Sequence, residues 1–379
     1  MNKSTKKPSL GKFALIALIM ILSFLYGLSI GRYLDDITSS GSLLPYILLV
    51  AVFIASVYLQ TIVHEAGHLV FGLMSGYKFS SFRIFSLMWI RDINSGRISF
   101  KRFSLAGTGG QCLMTPPDPI NGSFPVILYN LGGSIMNVAV SAVCVILSAV
   151  FSNVYFLPIA LLTFSVMGFI FAIMNGIPMQ TNMITNDGYN ALSLAKQPAS
   201  RHAFWIQLKI TELSSQDVRL KDMPAEWFIV PSDEDMKNNH IAAVGVFSCN
   251  RLMDEQRFDE ADALMSHLLS TPGICISGLY RGLLTCERIY LECIRGGRQD
   301  VADSMLTKEQ RQFMNTMKTF PSVIRTEYTY ALLCEHDADK AGKLLSDFES
   351  VAKSYPYKTD VDSERELIAI ADERSRTVL

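Results

Sequence analysis

The sequence predicts a mainly α-helical protein in two parts. A polytopic helical membrane core of about four spans carries a membrane-associated β-hairpin, and a soluble helical domain of tetratricopeptide-like hairpins follows it. Three observations predict this fold: nearly all long apolar runs precede Pro178, an alternating segment lies between the second and third runs, and the later sequence is charged with helical spacing. The predicted domains are residues 1–190 and 191–379.

Four apolar segments are long enough to cross a bilayer about 30 Å thick, which takes about 20 helical residues. They are Phe13–Ile30, Leu44–Met74, Val126–Phe151 and Tyr155–Gly176. Basic residues precede the first segment and recur between the second and third, but they are nearly absent from the other two loops. Because basic loops stay in the cytosol, we expect a multi-pass cell-membrane protein with both termini cytosolic.

Charge and cysteine usage exclude several classes of function. The 379 residues carry a net charge of −1, so electrostatics gives no reason to expect a nucleic-acid partner. The seven cysteines form no C-x-x-C pair, and we interpret them as small buried apolar residues rather than redox or zinc sites.

The sequence HEAGH lies inside the second apolar segment, where it begins at His64. On a helix, His64 and His68 share one face, so their imidazoles can bind one zinc ion. Glu65 follows the first histidine and can act as a general base toward water. The two histidines could instead be core residues bonded to neighbouring helices. Two histidines and a glutamate within one turn of a membrane helix favour the metal site.

A catalytic zinc site usually has a third protein ligand, and Asp187 is the candidate. It follows the fourth apolar segment within the sequence NDG, where Gly188 permits a tight backbone. N-D-G is also a common turn sequence, so a surface turn is the alternative. The upstream HEAGH motif favours the ligand.

HEAGH, together with an N-x-x-P element at Asn175–Pro178 and the D-G pair at Asp187, resembles the site-2 protease (M50) family of intramembrane zinc metalloproteases. The resemblance covers about Leu44 to Asn190. It implies that His64, His68 and Asp187 bind one zinc ion and that Glu65 activates water.

The same resemblance implies that the break at Asn175 and Pro178 helps to receive the substrate strand beside the metal. Two features depart from the family pattern. The segment between Pro178 and Asp187 is longer than in the best-known members, and the family's Gly-Pro-x-x-x-Asn element is represented by Gly132–Asn137 without its proline.

Between the second and third apolar segments, FRIFSLMWIR and RISFKRF predict a β-hairpin with its turn at Asn94–Gly96. The resemblance implies that an extended substrate can pair with this element, and a surface hairpin without a substrate role is the alternative. The following GTGGQCLMTPPD predicts a re-entrant loop near the active site, in which Gln111 orients a substrate carbonyl.

Helical spacing in the C-terminal half, as in Leu252–Ser270, predicts two or three degenerate tetratricopeptide-like hairpins. We expect such a domain to bind a protein partner or to regulate access rather than to catalyse.

Together these features predict a zinc endopeptidase that cleaves in or near the transmembrane segment of a membrane-bound protein or peptide within the lipid bilayer. Its role would be intramembrane proteolysis of a regulator or maturation of a peptide precursor. Two alternatives stand beside it: an inactive membrane scaffold of the same fold that acts through its helical domain, and a transporter. The transporter alternative predicts more polar residues in the other spans than the sequence contains.

Overall fold

A computed structural model describes residues 10–38, 42–92, 96–104, 108–180, 185–296 and 299–378. Within these ranges the chain is mainly helical and contains one small antiparallel sheet. The helices are α1 (Leu10–Thr38), α2 (Leu44–Met74), α3 (Ile127–Val150), α4 (Leu157–Gly176), α5 (Asp187–Lys196), α6 (Pro198–Ser214), α7 (Asn239–Asp254), α8 (Phe258–Ser270), α9 (Gly278–Arg295), α10 (Gln299–Met305), α11 (Lys308–Thr316), α12 (Pro321–Leu333), α13 (Ala338–Ala352) and α14 (Lys358–Val378). The strands are β1 (Lys78–Ile84), β2 (Leu87–Arg91), β3 (Ile98–Arg102) and β4 (Gly110–Thr115).

The chain forms two compact units. The first contains α1 to α4 and the start of α5, and the second contains the sheet and the remaining helices. The sheet therefore groups with the helical unit that follows it in sequence. The predicted domains 1–190 and 191–379 stay a prediction.

Three helices of the described residues are long and apolar enough to cross a membrane: α2, α3 and α4. They coincide with three of the four predicted spans. The first predicted span lies in α1, whose apolar part among the described residues, Ile16–Leu28, is shorter. A fourth span therefore stays a prediction.

The first unit has apolar side chains outside and polar side chains inside. Leu59 on α2 is 49% exposed and Ile146 on α3 is 63% exposed. The buried residues of α2 are mostly polar or small, and five of them recur every four residues: Ser56, Gln60, His64, His68 and Gly72. A four-residue spacing places them on one helix face. This polarity is what a bundle surrounded by lipid requires.

Glycines bring the helices of the first unit close together. A Cβ at Gly67 of α2 would lie 2.3 Å from the carbonyl oxygen of Gly132 on α3. A Cβ at Gly168 of α4 would lie 2.1 Å from the Ser141 hydroxyl oxygen and 2.4 Å from the Gln60 Nε2. Small residues at such crossings let the backbones pack closely and let buried polar groups reach across helices.

The second unit contains a four-stranded sheet in the order β3-β2-β1-β4, with all neighbours antiparallel. The predicted pairing within the hairpin is confirmed, since β2 pairs with β3 from Leu87↔Arg102 to Arg91↔Ile98. The predicted turn residues Asn94 and Ser95 lie outside the described residues. Association of this hairpin with the membrane stays a prediction.

Two parts of the sheet differ from the prediction. The run FRIFSLMWIR does not form one strand, because the chain turns after Ile84 with Phe85 at a φ of 53°. A bulky residue in this conformation is uncommon, so the sequence gives little sign of the turn. The re-entrant loop predicted over the following Gly-rich segment is wrong for Gly110–Thr115, which is β4 and pairs with β1. Alternation explains the strand, since Cys112 and Met114 are buried.

The helices of the second unit enclose a large apolar core, in which Met265, Leu268 and Phe348 are fully buried. Charged groups are also buried there. Arg325, at 0% exposure, donates to Glu287 and Glu364 at 2.7 Å and 2.8 Å. The tetratricopeptide-like assignment of these helices stays a prediction.

Candidate metal centre

Three predicted ligand atoms converge in the first unit. The Nε2 atoms of His64 and His68 lie 3.2 Å apart. The Asp187 Oδ2 lies 3.0 Å from the His64 Nε2 and 3.3 Å from the His68 Nε2. Both imidazoles are buried, and Asp187 is partly buried beside them. The structure thus brings the three residues together across more than a hundred residues of sequence.

The far nitrogen of each imidazole is already engaged. The His68 Nδ1 lies 2.7 Å from the backbone oxygen of Tyr129. A carbonyl oxygen only accepts, so this nitrogen carries the hydrogen. The His64 Nδ1 lies 2.8 Å from the Asn137 Oδ1, another acceptor.

A relay of amides fixes the orientation of Asn137. The Gln60 Nε2 donates to the Phe164 carbonyl at 2.9 Å, which turns the Gln60 Oε1 toward α3. The Asn137 Nδ2 donates to that oxygen at 2.7 Å, which leaves its Oδ1 facing His64. The relay therefore joins α4, α2 and α3 and determines the tautomer of His64.

These hydrogen bonds leave lone pairs at the centre. With hydrogen on both Nδ1 atoms, each Nε2 presents a lone pair, and the carboxylate of Asp187 presents another. Three acceptors in contact repel one another unless a proton or a metal ion lies between them. Ligands of a tetrahedral zinc ion at 2.0–2.1 Å lie roughly 3.3 Å apart, which matches the observed separations of 3.0 to 3.3 Å. The donor set therefore fits zinc, and this arrangement argues against core histidines with a purely structural role.

Asn186 holds the chain so that Asp187 faces the histidines. Its Nδ2 donates to the carbonyls of Met174 and Ile177 at 2.8 Å and 2.6 Å, near the end of α4. Its Oδ1 accepts from the Tyr189 amide at 3.0 Å, as an N-cap residue does at the start of a helix. One side chain thus closes the end of α4 and begins α5.

Gly188 and Pro178 shape the same connection. A Cβ at Gly188 would lie 2.2 Å from the Gly176 carbonyl oxygen, so only glycine permits this approach. α4 ends at Gly176, and Ile177 is extended, as expected for a residue before proline. The predicted helix break is therefore present.

The other predicted site residues lie as follows. Glu65 is buried in the same turn of α2 as His64. The Asn175 Nδ2 donates to the Phe171 carbonyl of its own helix at 3.0 Å. Gln111 lies on β4 in the second unit, where it lines a cavity. The roles assigned to these three residues and to Pro178 in handling the substrate or water stay predictions.

Four residues that hold the candidate ligands were given no such role from the sequence: Gln60, Gly133, Asn137 and Asn186. Gly133 and Asn137 lie in the Gly132–Asn137 element noted above. A Cβ at Gly133 would lie 2.5 Å from the His64 ring, so this residue makes room for the imidazole. The four-residue spacing of Gln60, His64 and His68 was a usable sign, as was an asparagine directly before a helix start.

Buried histidine and carboxylate ligands inside a bundle of apolar helices define a membrane protein with a candidate metal centre. The model of the family described as Peptidase family M50 matches residues 52–335, most of the chain. The chain belongs to this family of intramembrane metalloproteases. Comparisons with curated proteins and with solved structures gave no significant match.

Proposed function

We propose that the protein is an intramembrane zinc endopeptidase that hydrolyses a peptide bond in or near the transmembrane segment of a membrane-bound substrate. The observation that carries the proposal is the convergence of three lone-pair donors, from His64, His68 and Asp187, inside apolar helices. Ionisable groups at such positions are costly and usually have a function.

The residues of the site have different roles in this reaction. His64, His68 and Asp187 would hold zinc, which when bound polarises a scissile carbonyl and makes water a stronger nucleophile. The Gln60–Asn137 relay keeps the His64 ring in place. Glu65 accepts the proton of the attacking water and passes it to the leaving amine.

A transmembrane substrate must present an extended backbone, because a helix hides its peptide groups in internal hydrogen bonds. The helix break at Asn175 and Pro178 and the β-sheet are suited to this step. β3 has a partner on one side only within the described residues, so its other edge is available to an added strand. Phe100 on β3 and Trp89 on β2 are exposed side by side, which suits a position at the membrane surface.

The proposal includes a multi-pass position in the cell membrane with both termini in the cytosol. The helical unit would then bind a cytosolic protein partner. The basic residues between the second and third apolar segments support this orientation.

Replacement of Glu65 by Gln tests the function. We expect Glu65→Gln to keep one zinc per chain and to lower turnover by about 10²–10⁴-fold, because only proton transfer is lost. Zinc content and cleavage of a panel of single-span peptides are measured on purified protein in lipid nanodiscs. Glu226→Gln, an exposed change in the second unit, is the matched control and should match the wild type.

Undiminished cleavage by Glu65→Gln would contradict the role of this residue. Wild-type protein that binds zinc but cleaves no peptide of the panel would favour the inactive scaffold. Wild-type protein that binds no zinc would contradict the metal centre itself.

A further inference from the structure

The second unit contains a cavity of about 520 Å³. It opens between β4 of the sheet and the helices α6, α7, α9, α12 and α14. Its volume lies within the range of roughly 300–1,000 Å³ that is typical of small-molecule sites. The membrane protease chemistry proposed above uses none of its carboxylates.

The charges that line the cavity are mainly negative: the carboxylates of Asp254, Glu287, Asp360 and Glu364 face one guanidinium, that of Arg219. Three of the carboxylates are already paired with arginines. Glu287 and Glu364 accept from Arg325, and Asp254 accepts from Arg219 at 3.0 Å.

Asp360 lacks such a partner. Among the described residues it forms no ion pair and accepts no hydrogen bond, although it lines the cavity. Burial, followed by the nearby charges of Glu364 and Asp254, raises its pKa to about 7. This carboxylate is therefore an unmatched acceptor.

Thr359 supplies a second, independent unmatched group. Its side chain lines the same cavity and is only 7% exposed, yet its Oγ1 has no hydrogen-bond partner within the described part of the chain. Buried hydroxyl groups are normally hydrogen-bonded, so an unsatisfied one at a cavity wall indicates a missing partner, whose donor the lone pairs of this oxygen can accept.

Aromatic rings form much of the remaining wall. Phe103 contacts Tyr355 with ring centroids 5.5 Å apart, and Phe247 contacts Tyr280 at 6.2 Å. The faces of such rings attract ammonium groups, and the ring edges pack well against an alkyl chain.

We propose that this cavity binds a primary alkylammonium group, with the ammonium at Asp360 and Thr359 and the alkyl chain along the aromatic wall. The group comes either from a free amine or from the lysine side chain of a peptide, since both present the same chemistry. A carboxylate and a hydroxyl acceptor match the three donors of an ammonium. Asp360 lies in the first turn of α14, where the helix dipole favours a negative charge. Among the described residues no counter-ion pairs with it.

Binding is measured by calorimetry on the full chain in nanodiscs of zwitterionic lipid, in phosphate buffer free of amines. The probes are 1,5-diaminopentane and the peptide acetyl-Leu-Lys-Leu-amide. Their neutral controls are 1,5-pentanediol and the same peptide with an acetylated lysine. We expect saturable binding of one probe per chain and none of either control.

Single substitutions test whether the probes bind at Asp360 and Thr359. Asp360→Asn should weaken binding at least tenfold, because it removes the counter-ion. Asp362→Asn, two residues further along α14 and outside the cavity lining, should bind like the wild type. Thr359→Val should weaken binding several-fold while preserving the shape of the side chain.

The outcomes distinguish the two sources of the ammonium group and also test the proposal itself. Binding of the diamine alone assigns the site to a free amine, and binding of the peptide alone assigns it to a lysine side chain. Failure of both probes, or equal binding by Asp360→Asn and the wild type, overturns the proposal. If Asp360→Asn does not fold, as judged by tryptophan emission, unchanged affinity in Thr359→Val overturns it instead.

Discussion

The two units bury polar side chains by different means. In the first unit, neutral groups form the buried relay: the amides of Gln60 and Asn137 connect a backbone carbonyl to the His64 imidazole. In the second unit, full charges are buried as ion pairs, such as Arg325 with Glu287 and Glu364.

The difference follows from the surroundings of each unit. In lipid no water reaches a buried group, so the first unit buries few charged residues. Several of its buried hydroxyl groups donate to backbone carbonyls, as Ser56 does to Val52 and Thr163 to Ile159, while Gln60 and Asn137 form the relay to His64. Charges are common in the second unit, and most are neutralised locally. A residue with no partner, such as Asp360, is therefore visible only in the structure. Four predictions test this difference between the two units.

If the first unit positions its ligands by close helix packing, Gly133→Ala should abolish metal binding. The added methyl group would lie 2.5 Å from the His64 ring and force it out of place. A displacement of about 1 Å at a reacting centre can cost about 10²-fold in rate, so we expect at least that loss of turnover. Gly27→Ala is the control, since nothing lies within 4 Å of its added Cβ. Equal zinc content in the two variants would contradict the close packing.

If the amide relay orients His64, Asn137→Ala should weaken zinc binding by about 10–100-fold, the usual effect of removing a partner behind a ligand. Competition with a chelator measures the affinity. Asn130→Ala is the control on the same helix, because the Asn130 Nδ2 donates to the carbonyl of Val126, one turn earlier in the chain, and not to the relay. A loss of the same size in both variants would indicate general damage to α3 rather than a relay.

If Asn186 folds Asp187 back onto the histidines, Asn186→Ala should weaken zinc binding about tenfold. The change removes hydrogen bonds to Met174 and Ile177, each worth about 1 kcal/mol. Asn175→Ala should leave zinc affinity unchanged, since its side chain bonds within its own helix. A lower kcat/KM in Asn175→Ala with full zinc content would support the predicted role of Asn175 toward the substrate.

The last prediction concerns the pH dependence of stability in the second unit. Because the pKa of Asp360 is raised to about 7, the folded state keeps a proton between about pH 4 and 7 that the unfolded chain releases. The contribution of Asp360 to stability therefore falls as pH rises through this window. Asp360→Asn should be more stable than the wild type at pH 8, and this advantage should vanish near pH 4.

Tryptophan fluorescence measures this unfolding, because Trp89, Trp205 and Trp227 are the only tryptophans and all lie in the second unit. A stability difference that is constant from pH 4 to pH 8 would contradict the raised pKa.

Prediction from the sequence succeeded best where the signal lies in consecutive residues, as in a long apolar run or a short motif on one helix. Long apolar runs predicted α2, α3 and α4, and the HEAGH motif placed the His64 and His68 imidazoles together, because a helix fixes which residues share a face. It was less successful in the sheet. The turn at Phe85 and the strand at Gly110–Thr115 depend on neighbouring strands, and local preference does not show them.

The apolar helices and the candidate ligands His64, His68 and Asp187 could therefore be read from the sequence, and the structure brings these three side chains together. What holds them in place, and which groups of the second unit stay unpaired among the described residues, follows from the tertiary structure. Gln60, Asn137 and Asn186 act through side chains that meet across helices, and Asp360 stands out because its neighbours are paired with other residues. Local periodicity can be read from consecutive residues, whereas residues distant in sequence come into contact only when the chain folds.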